Sequence, residues 1–204
     1  TGLDELPQGL HQPLSAEVLH AITKRSHARQ HQRGRRPHLL RAAYDALDEA
    51  TRRRIAGLSA HHSLYYSQAR IGHVVQKGAA YGFHTKGAPL RPLVKVHPVT
   101  GRPALYIGRH AYGIPGLGEA ESEKLLTDLV DFACRPPRTY AHQWRPGDVV
   151  IWDNRCVLHR ARPYDYREPR VMRHTRVAGN PATELAPTDR DDRAGVYEPS
   201  TSNR

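Results

Sequence analysis

A chain of 204 residues with 16 Gly and 16 Pro is long enough for one domain with a real core and short for two. No apolar run approaches the ~20 residues of a membrane-spanning helix, and no secretory signal is visible, so the expected compartment is the cytoplasm. The formal net charge is +11, of which residues 1–41 carry +4, and this admits nucleic-acid binding, yet there is no zinc-ligand spacing, RNA-recognition signature or basic helix interleaved with aromatics.

Residues 1–40 differ in texture from the rest of the chain. Ser15 to about Ser26 predicts one helix, with Ser15 as its N-cap. The run His27–His38 is rich in His, Arg and Gln, lacks apolar periodicity and reads as a solvated, disordered segment. As a basic arm, residues 24–41 would instead bind nucleic acid. Arg41–Leu58 carries a broken apolar stripe, Ala43, Leu47, Ala50, Ile55 and Leu58, and predicts helix with Asp48 as an internal cap. SLYYS, residues 63–67, predicts a short strand. His61 and His62 beside it would face opposite sides of a strand, which argues against both serving one metal.

Gly72–Pro92 is Gly-rich and predicts a loop of the kind that covers a site mouth. Leu93–His97 and Ala104–Gly108 predict two strands joined by the turn PVTGRP. Pro98 holds His97 extended, and His97 reads as a strand-end polar residue rather than a metal ligand. Glu119–Ala133 predicts the clearest helix, with Leu125, Leu126, Leu129, Val130 and Ala133 on one face and three glutamates near its N-terminal end. Thr139–Trp144 and Val149–Trp152 predict strands around a tight turn at Arg145–Asp148. Asp153 and Asn154 read as groups that bond the backbone at a strand end. Cys134 and Cys156 make no disulfide framework and read as buried, reduced thiols. Residues 180–204 read as a polar tail.

His159 closes an apolar strand, and Arg170, eleven residues later, opens the next. That pairing suits an iron site with an acidic co-substrate: neutral imidazole binds the metal, and the planar guanidinium grips a carboxylate. Such a site also needs a second His and a carboxylate, arranged His-x-Asp/Glu, and the written sequence has no such pair.

WDNRCVLHRA followed by PRVMRHTRVAG, preceded in order by RAAYDALDEAT, HPVTGRPALYIGRHA, ESEKLLTDLVDFA and WRPGD, resembles the TauD/TfdA (taurine dioxygenase/2,4-dichlorophenoxyacetate dioxygenase) family over roughly residues 41–179. The resemblance implies a mainly β fold with flanking helices: a double-stranded β-helix (jelly-roll) oxygenase core, incomplete here. It implies Fe(II) and 2-oxoglutarate, and hydroxylation of a small anionic organic substrate with release of succinate and CO2. His159 would be the distal metal His, and Arg170 would hold the far carboxylate of 2-oxoglutarate. Where the family often has a second Arg for an anionic substrate, this chain has His174, with Arg173 and Arg176 beside it. Strand alternation would send Arg170, Met172, His174 and Arg176 to one face and Arg173 to the other. His110 and Tyr112, in RHAYGIPGLG, are further substrate-contact candidates. The implied partners are a small-molecule substrate, dioxygen and further copies of the chain, rather than membrane or nucleic acid.

The family's His-x-Asp pair and Gly-x-Thr turn precede RAAYDAL and are not in the written frame. Codons permitted for residues 15–34, shifted by one nucleotide, allow APKYSMLSRSVPTRGNTSGAD, which resembles the family's strand and Gly-x-Thr region. The same shift over Leu6–Leu10 allows SHRDS, a His-x-Asp. Residues 1–40 are therefore expected to be an out-of-frame translation ahead of the C-terminal portion of an oxygenase domain, 41–179. The polypeptide as written is expected to bind Fe(II) poorly and to turn over little 2-oxoglutarate. The alternatives are a catalytically inactive fragment of such an enzyme and a basic nucleic-acid-binding protein.

Overall fold

The computed structural model describes residues 40–73, 87–160, 165, 167, 171–173 and 175–189. The helix predicted at 15–26, the basic run after it, most of the glycine-rich loop, Arg170 and His174 lie outside the described residues. The chain divides into two compact units. Among the described residues, the larger holds 40–73, 87–143, 152–160 and 185–189, and the smaller 144–151, 165, 167, 171–173 and 175–184.

In the larger unit, two short helices replace the one predicted over residues 41–58: α1 (Leu40–Asp45) and α2 (Glu49–Ile55). The break has a local cause. Asp48 takes an extended backbone and caps α2, its carboxylate accepting from the Thr51 amide and hydroxyl, each at 2.7 Å. Leu47 and Ile55 still reach the core from either side of that break.

The first strand, β1 (Ser59–His62), lies just ahead of SLYYS, which is itself helical: α3 (Leu64–Ala69) starts there. The Ser63 hydroxyl accepts from the Tyr66 amide at 3.3 Å, so the residue expected inside a strand instead starts a helix. His61 and His62 do face opposite sides of β1, half-buried and buried respectively.

Strand β2 (Ala88–Pro92) arises within the predicted loop and pairs antiparallel with β1. β3 (Val94–Val96) and β4 (Pro103–Leu105) form the expected hairpin around PVTGRP, shorter than predicted. Gly101 turns that hairpin at φ +65°, a conformation L side chains rarely adopt. β5 (Ala111–Tyr112) pairs with the other edge of β1.

Helix α4 (Glu119–Ala133) matches its predicted span. It buries Leu125, Leu126, Leu129 and Ala133, and Glu119 and Glu121 occupy its first turn. α1 packs against β4 and α4. Ile55, Leu93, Leu105, Ile114 and Cys156 are fully buried in the same core. Cys134 is exposed, contrary to expectation, because it follows the last apolar turn of α4 as its C-cap.

The segment read as a structureless tail contributes β6 (Thr188–Asp189), which pairs with β2 and completes a sheet of order β5-β1-β2-β6. It also contributes α5 (Pro181–Glu184), in the smaller unit. No helix among the described residues is long and apolar enough to cross a membrane.

Two predicted strands do not form. Thr139–Trp144 and Val149–Trp152 lie outside any strand, and Tyr140, Trp144, Val149, Val150, Ile151 and Trp152 are exposed. A strand persists only by hydrogen bonding to a neighbour, and among the described residues none pairs with these segments. The turn between them does form. The Asp148 amide donates to the Arg145 carbonyl at 3.0 Å, the Asp148 carboxylate accepts from the Arg145 amide at 2.9 Å, and Gly147 sits at φ +86°. Residues 171–173 and 175–179 likewise lack the strand expected to open at Arg170.

Candidate functional site

The segment WDNRCVLH is anchored before it reaches its histidine. Cys156 is 1% exposed, its carbonyl accepts from the Leu40 amide at 2.8 Å, and its thiol lies 3.1 Å from Arg41 Nη2. The Cys156 amide donates back to the Asp153 carbonyl at 3.1 Å, closing a turn. Val157 and Leu158 pack against the core, and His159 then emerges exposed. Only Val157 makes an isolated bridge, so His159 does not sit on the strand predicted for it. The His159 ring lies 4.8 Å from the Trp152 ring, centroid to centroid. Trp152 is itself oriented by its indole N–H, which donates to Asn154 Oδ1 at 2.8 Å.

Asp153 is the most heavily bonded acid of this segment. It accepts from the Arg155 amide at 2.9 Å, from Arg155 Nε at 2.9 Å and Nη2 at 2.7 Å, and from His97 Nε2 at 3.0 Å. Burial opposes its charge. The hydrogen bonds from Arg155 and His97 outweigh that and hold the carboxyl well below the usual carboxylate range. His97 is 6% exposed, so the residue read as a strand-end polar group is a buried partner of Asp153.

A second group of rings lies on β1 and the loop into β5. His62 packs 4.8 Å from His110 and 5.4 Å from Tyr106, and its Nε2 is buried without a hydrogen-bond partner among the described residues. Burial, then the charges of His110, Arg91 and His61, bring the His62 pKa from 6.5 down to about 3. Burial, then Arg109 and Arg91, lower that of His110 too. A Cβ at Gly108 would stand 2.6 Å from the His110 ring, so that ring lies directly over the glycine backbone. Tyr112 is half-buried, 5.7 Å from the His61 ring and 4.9 Å from Tyr66. His110 thus packs with His62 and Tyr112 with His61, on opposite sides of β1, so the two substrate-contact candidates of this loop are not brought to one face.

Arg173 and Arg176 are exposed in the smaller unit. Arg170 and His174 lie outside the described residues. Among the described residues no three His, Cys, Asp or Glu side chains come together to hold a metal ion. A facial iron site needs two imidazoles and a carboxylate, and the described residues do not by themselves fit an iron centre.

Residues 40–176 match the profile of the Taurine catabolism dioxygenase TauD, TfdA family. The chain belongs to this family. Among TauD/TfdA relatives, the (S)-phenoxypropionate/alpha-ketoglutarate-dioxygenase of Delftia acidovorans is 64% identical over 150 residues, which are 72% of this chain and 51% of that protein. The alpha-ketoglutarate-dependent 2,4-dichlorophenoxyacetate dioxygenase of Burkholderia sp. strain RASC is 39% identical over 143 residues, 69% of this chain and 46% of that one. The crystal structure of AAD-2 in complex with Mn(II) and N-oxalylglycine is similar at a TM-score of 0.59 and 40% identity, over 66% of this chain and 53% of that one. The chain spans about half the length of the curated relatives it matches.

The TauD/TfdA match begins at Leu40, a buried residue tied to Cys156. Sequence reasoning missed the pairing of His97 with Asp153. The available signal was indirect: a histidine fixed by a following proline, and an acid beside a buried cysteine, 56 residues apart.

Proposed function

We propose that the whole protein is an Fe(II)- and 2-oxoglutarate-dependent dioxygenase that hydroxylates a small anionic phenoxyalkanoate, with dioxygen as co-substrate and succinate and CO2 as products. The observation that carries this is the 64% identity to the (S)-phenoxypropionate relative, beside a family match over residues 40–176 that includes WDNRCVLH. In this reading His159 is the distal metal histidine and Arg170 grips the far carboxylate of 2-oxoglutarate. His174, Arg173, Arg176, His110 and Tyr112 are the substrate-contact candidates. The native core is a double-stranded β-helix, of which residues 41–179 are the C-terminal portion. The protein acts in the cytoplasm, as a homo-oligomer.

A second reading concerns the 204-residue chain itself: it is an inactive piece of that enzyme, because residues 1–40 are translated out of frame. One observation favours it: Val149–Trp152 is exposed and pairs with no strand among the described residues.

One experiment addresses both readings. Calorimetric titration of the purified chain with 2-oxoglutarate is expected to give binding that Arg170→Ala abolishes, with little iron-dependent succinate. The coding DNA, read one nucleotide out of frame across residues 1–40, is expected to encode His-x-Asp and Gly-x-Thr. Expression of that repaired gene is expected to add phenoxypropionate-dependent succinate release. Absence of 2-oxoglutarate binding, or a repaired product without turnover, overturns the dioxygenase reading. Rapid succinate formation by the 204-residue chain, or a shifted frame without these motifs, overturns the inactive-fragment reading.

A further inference from the structure

We propose that His97, acting through Asp153, positions His159. The proposal rests on the reading of His159 as a metal ligand and assigns that ligand its support.

His97 is a fixed point. Its amide donates to the Arg102 carbonyl at 2.9 Å, and its carbonyl accepts from the Gly101 amide at 2.8 Å, so both backbone groups are locked in the turn between β3 and β4. Its ring is equally constrained. Nδ1 lies 3.3 Å from the Val99 amide and 3.2 Å from the Thr100 amide. Both amides are donors, so Nδ1 accepts and the ring proton sits on Nε2. Nε2–H therefore donates to Asp153 Oδ2 at 3.0 Å. The bond joins the hairpin to the start of the segment that ends in His159.

From Asp153 the constraint passes along the chain in both directions. Arg155 takes both carboxylate oxygens with Nε and Nη2, which keeps the carboxylate from rotating away from His97. The Asp153 carbonyl accepts from the Cys156 amide, and Cys156 is locked into the core beside Leu40. The ring of Trp152, directly before Asp153, meets the ring of His159. The clamp at Asp153 thus fixes the position of the Trp152 ring, and the Cys156 anchor sets where His159 leaves the core. A metal ligand tolerates displacements of only about 0.5 Å, and groups behind the ligand commonly supply that precision.

The competing account is that His97 serves only the hairpin turn, through Nδ1. Two substitutions separate the roles. His97→Asn places an acceptor near Nδ1 for the Val99 and Thr100 amides but cannot reach Asp153. His97→Gln places a donor near Nε2, within reach of Asp153, but offers the turn no acceptor. The readout is the ring-current displacement of the His159 proton resonances by Trp152, recorded by NMR on the 204-residue chain and assigned with His159→Gln. The displacement is expected to survive in His97→Gln and to collapse toward the value of an exposed histidine in His97→Asn. Asp153→Ala, which keeps the Nδ1 bonds of His97 within the hairpin turn and removes only its Nε2 partner, is expected to collapse it as well. Retention of the displacement in His97→Asn or in Asp153→Ala overturns the proposal, as does its loss in His97→Gln while Asn preserves it. The measurement uses neither metal nor 2-oxoglutarate. A failed co-substrate titration would remove the metal role of His159 and leave the clamp itself separately decided.

Discussion

At the scale of single residues, His62 carries a cost in acid. Its pKa of about 3 lies below the ordinary 6.5, chiefly because burial disfavours the charged ring. Between those two values the unfolded chain takes up a proton that the folded chain refuses. The stabilisation is therefore complete above pH 6.5 and is lost as pH falls toward 3. At pH 5 the loss from this one group is on the order of 1–2 kcal/mol. His110 adds to the same slope, and Asp153 adds only below its ordinary value of 3.8. His62→Phe keeps a ring against Tyr106 and removes the buried, unpartnered nitrogen. Urea unfolding of the two chains at pH 7 and pH 5 is expected to show a shallower acid dependence in the variant, and equal slopes would refute the assignment. The opposite facing of His61 and His62 was legible from strand alternation alone. The His97–Asp153 pair was not, because no local period relates residues that meet through a hairpin and a separate loop.

Among the elements, legibility tracked whether the signal was local. α4 follows from its own 3.6-residue stripe, and Leu129, 3% exposed on that stripe, has core neighbours whatever the rest of the chain does. Leu129→Ala is expected to cost about 2–4 kcal/mol, read as a lower urea midpoint with unchanged slope, and a cost under about 1 kcal/mol would mean that α4 is not part of the core. The strands behaved differently. SLYYS has β-type composition, yet the Ser63 hydroxyl decides for a helix. Ala88–Pro92 holds prolines at its second and last positions and reads as loop, but β1 and β6 flank it on both sides and make it a strand. Residues 139–144 and 149–152 have the opposite fate. Their composition favours strand, and no described partner completes them. A strand is a property of two segments, and a single segment's sequence reports only half of it.

For the whole molecule, the ordered motifs from RAAYDAL to PRVMRHTRVAG identified the family, while the three-ligand site did not follow from them. The sequence holds no His-x-Asp/Glu pair, and Arg170 and His174 lie outside the described residues. The exposed run Val149–Trp152 bears on how such a chain survives in solution. Its side chains are 70, 38, 44 and 45% exposed, three of the four are β-branched, and none is charged. Open apolar runs of this kind template pairing between identical chains. Colloidal behaviour, rather than unfolding, is then the expected limit on the purified protein. Light scattering is expected to rise steeply with concentration at neutral pH despite the net charge of +11, and Val150→Lys is expected to suppress it. A chain that stays monodisperse at high concentration without that lysine would contradict this. In a cell the same run would mark the polypeptide as a client of chaperones and proteases, so that its abundance, before any question of turnover, would be set by quality control.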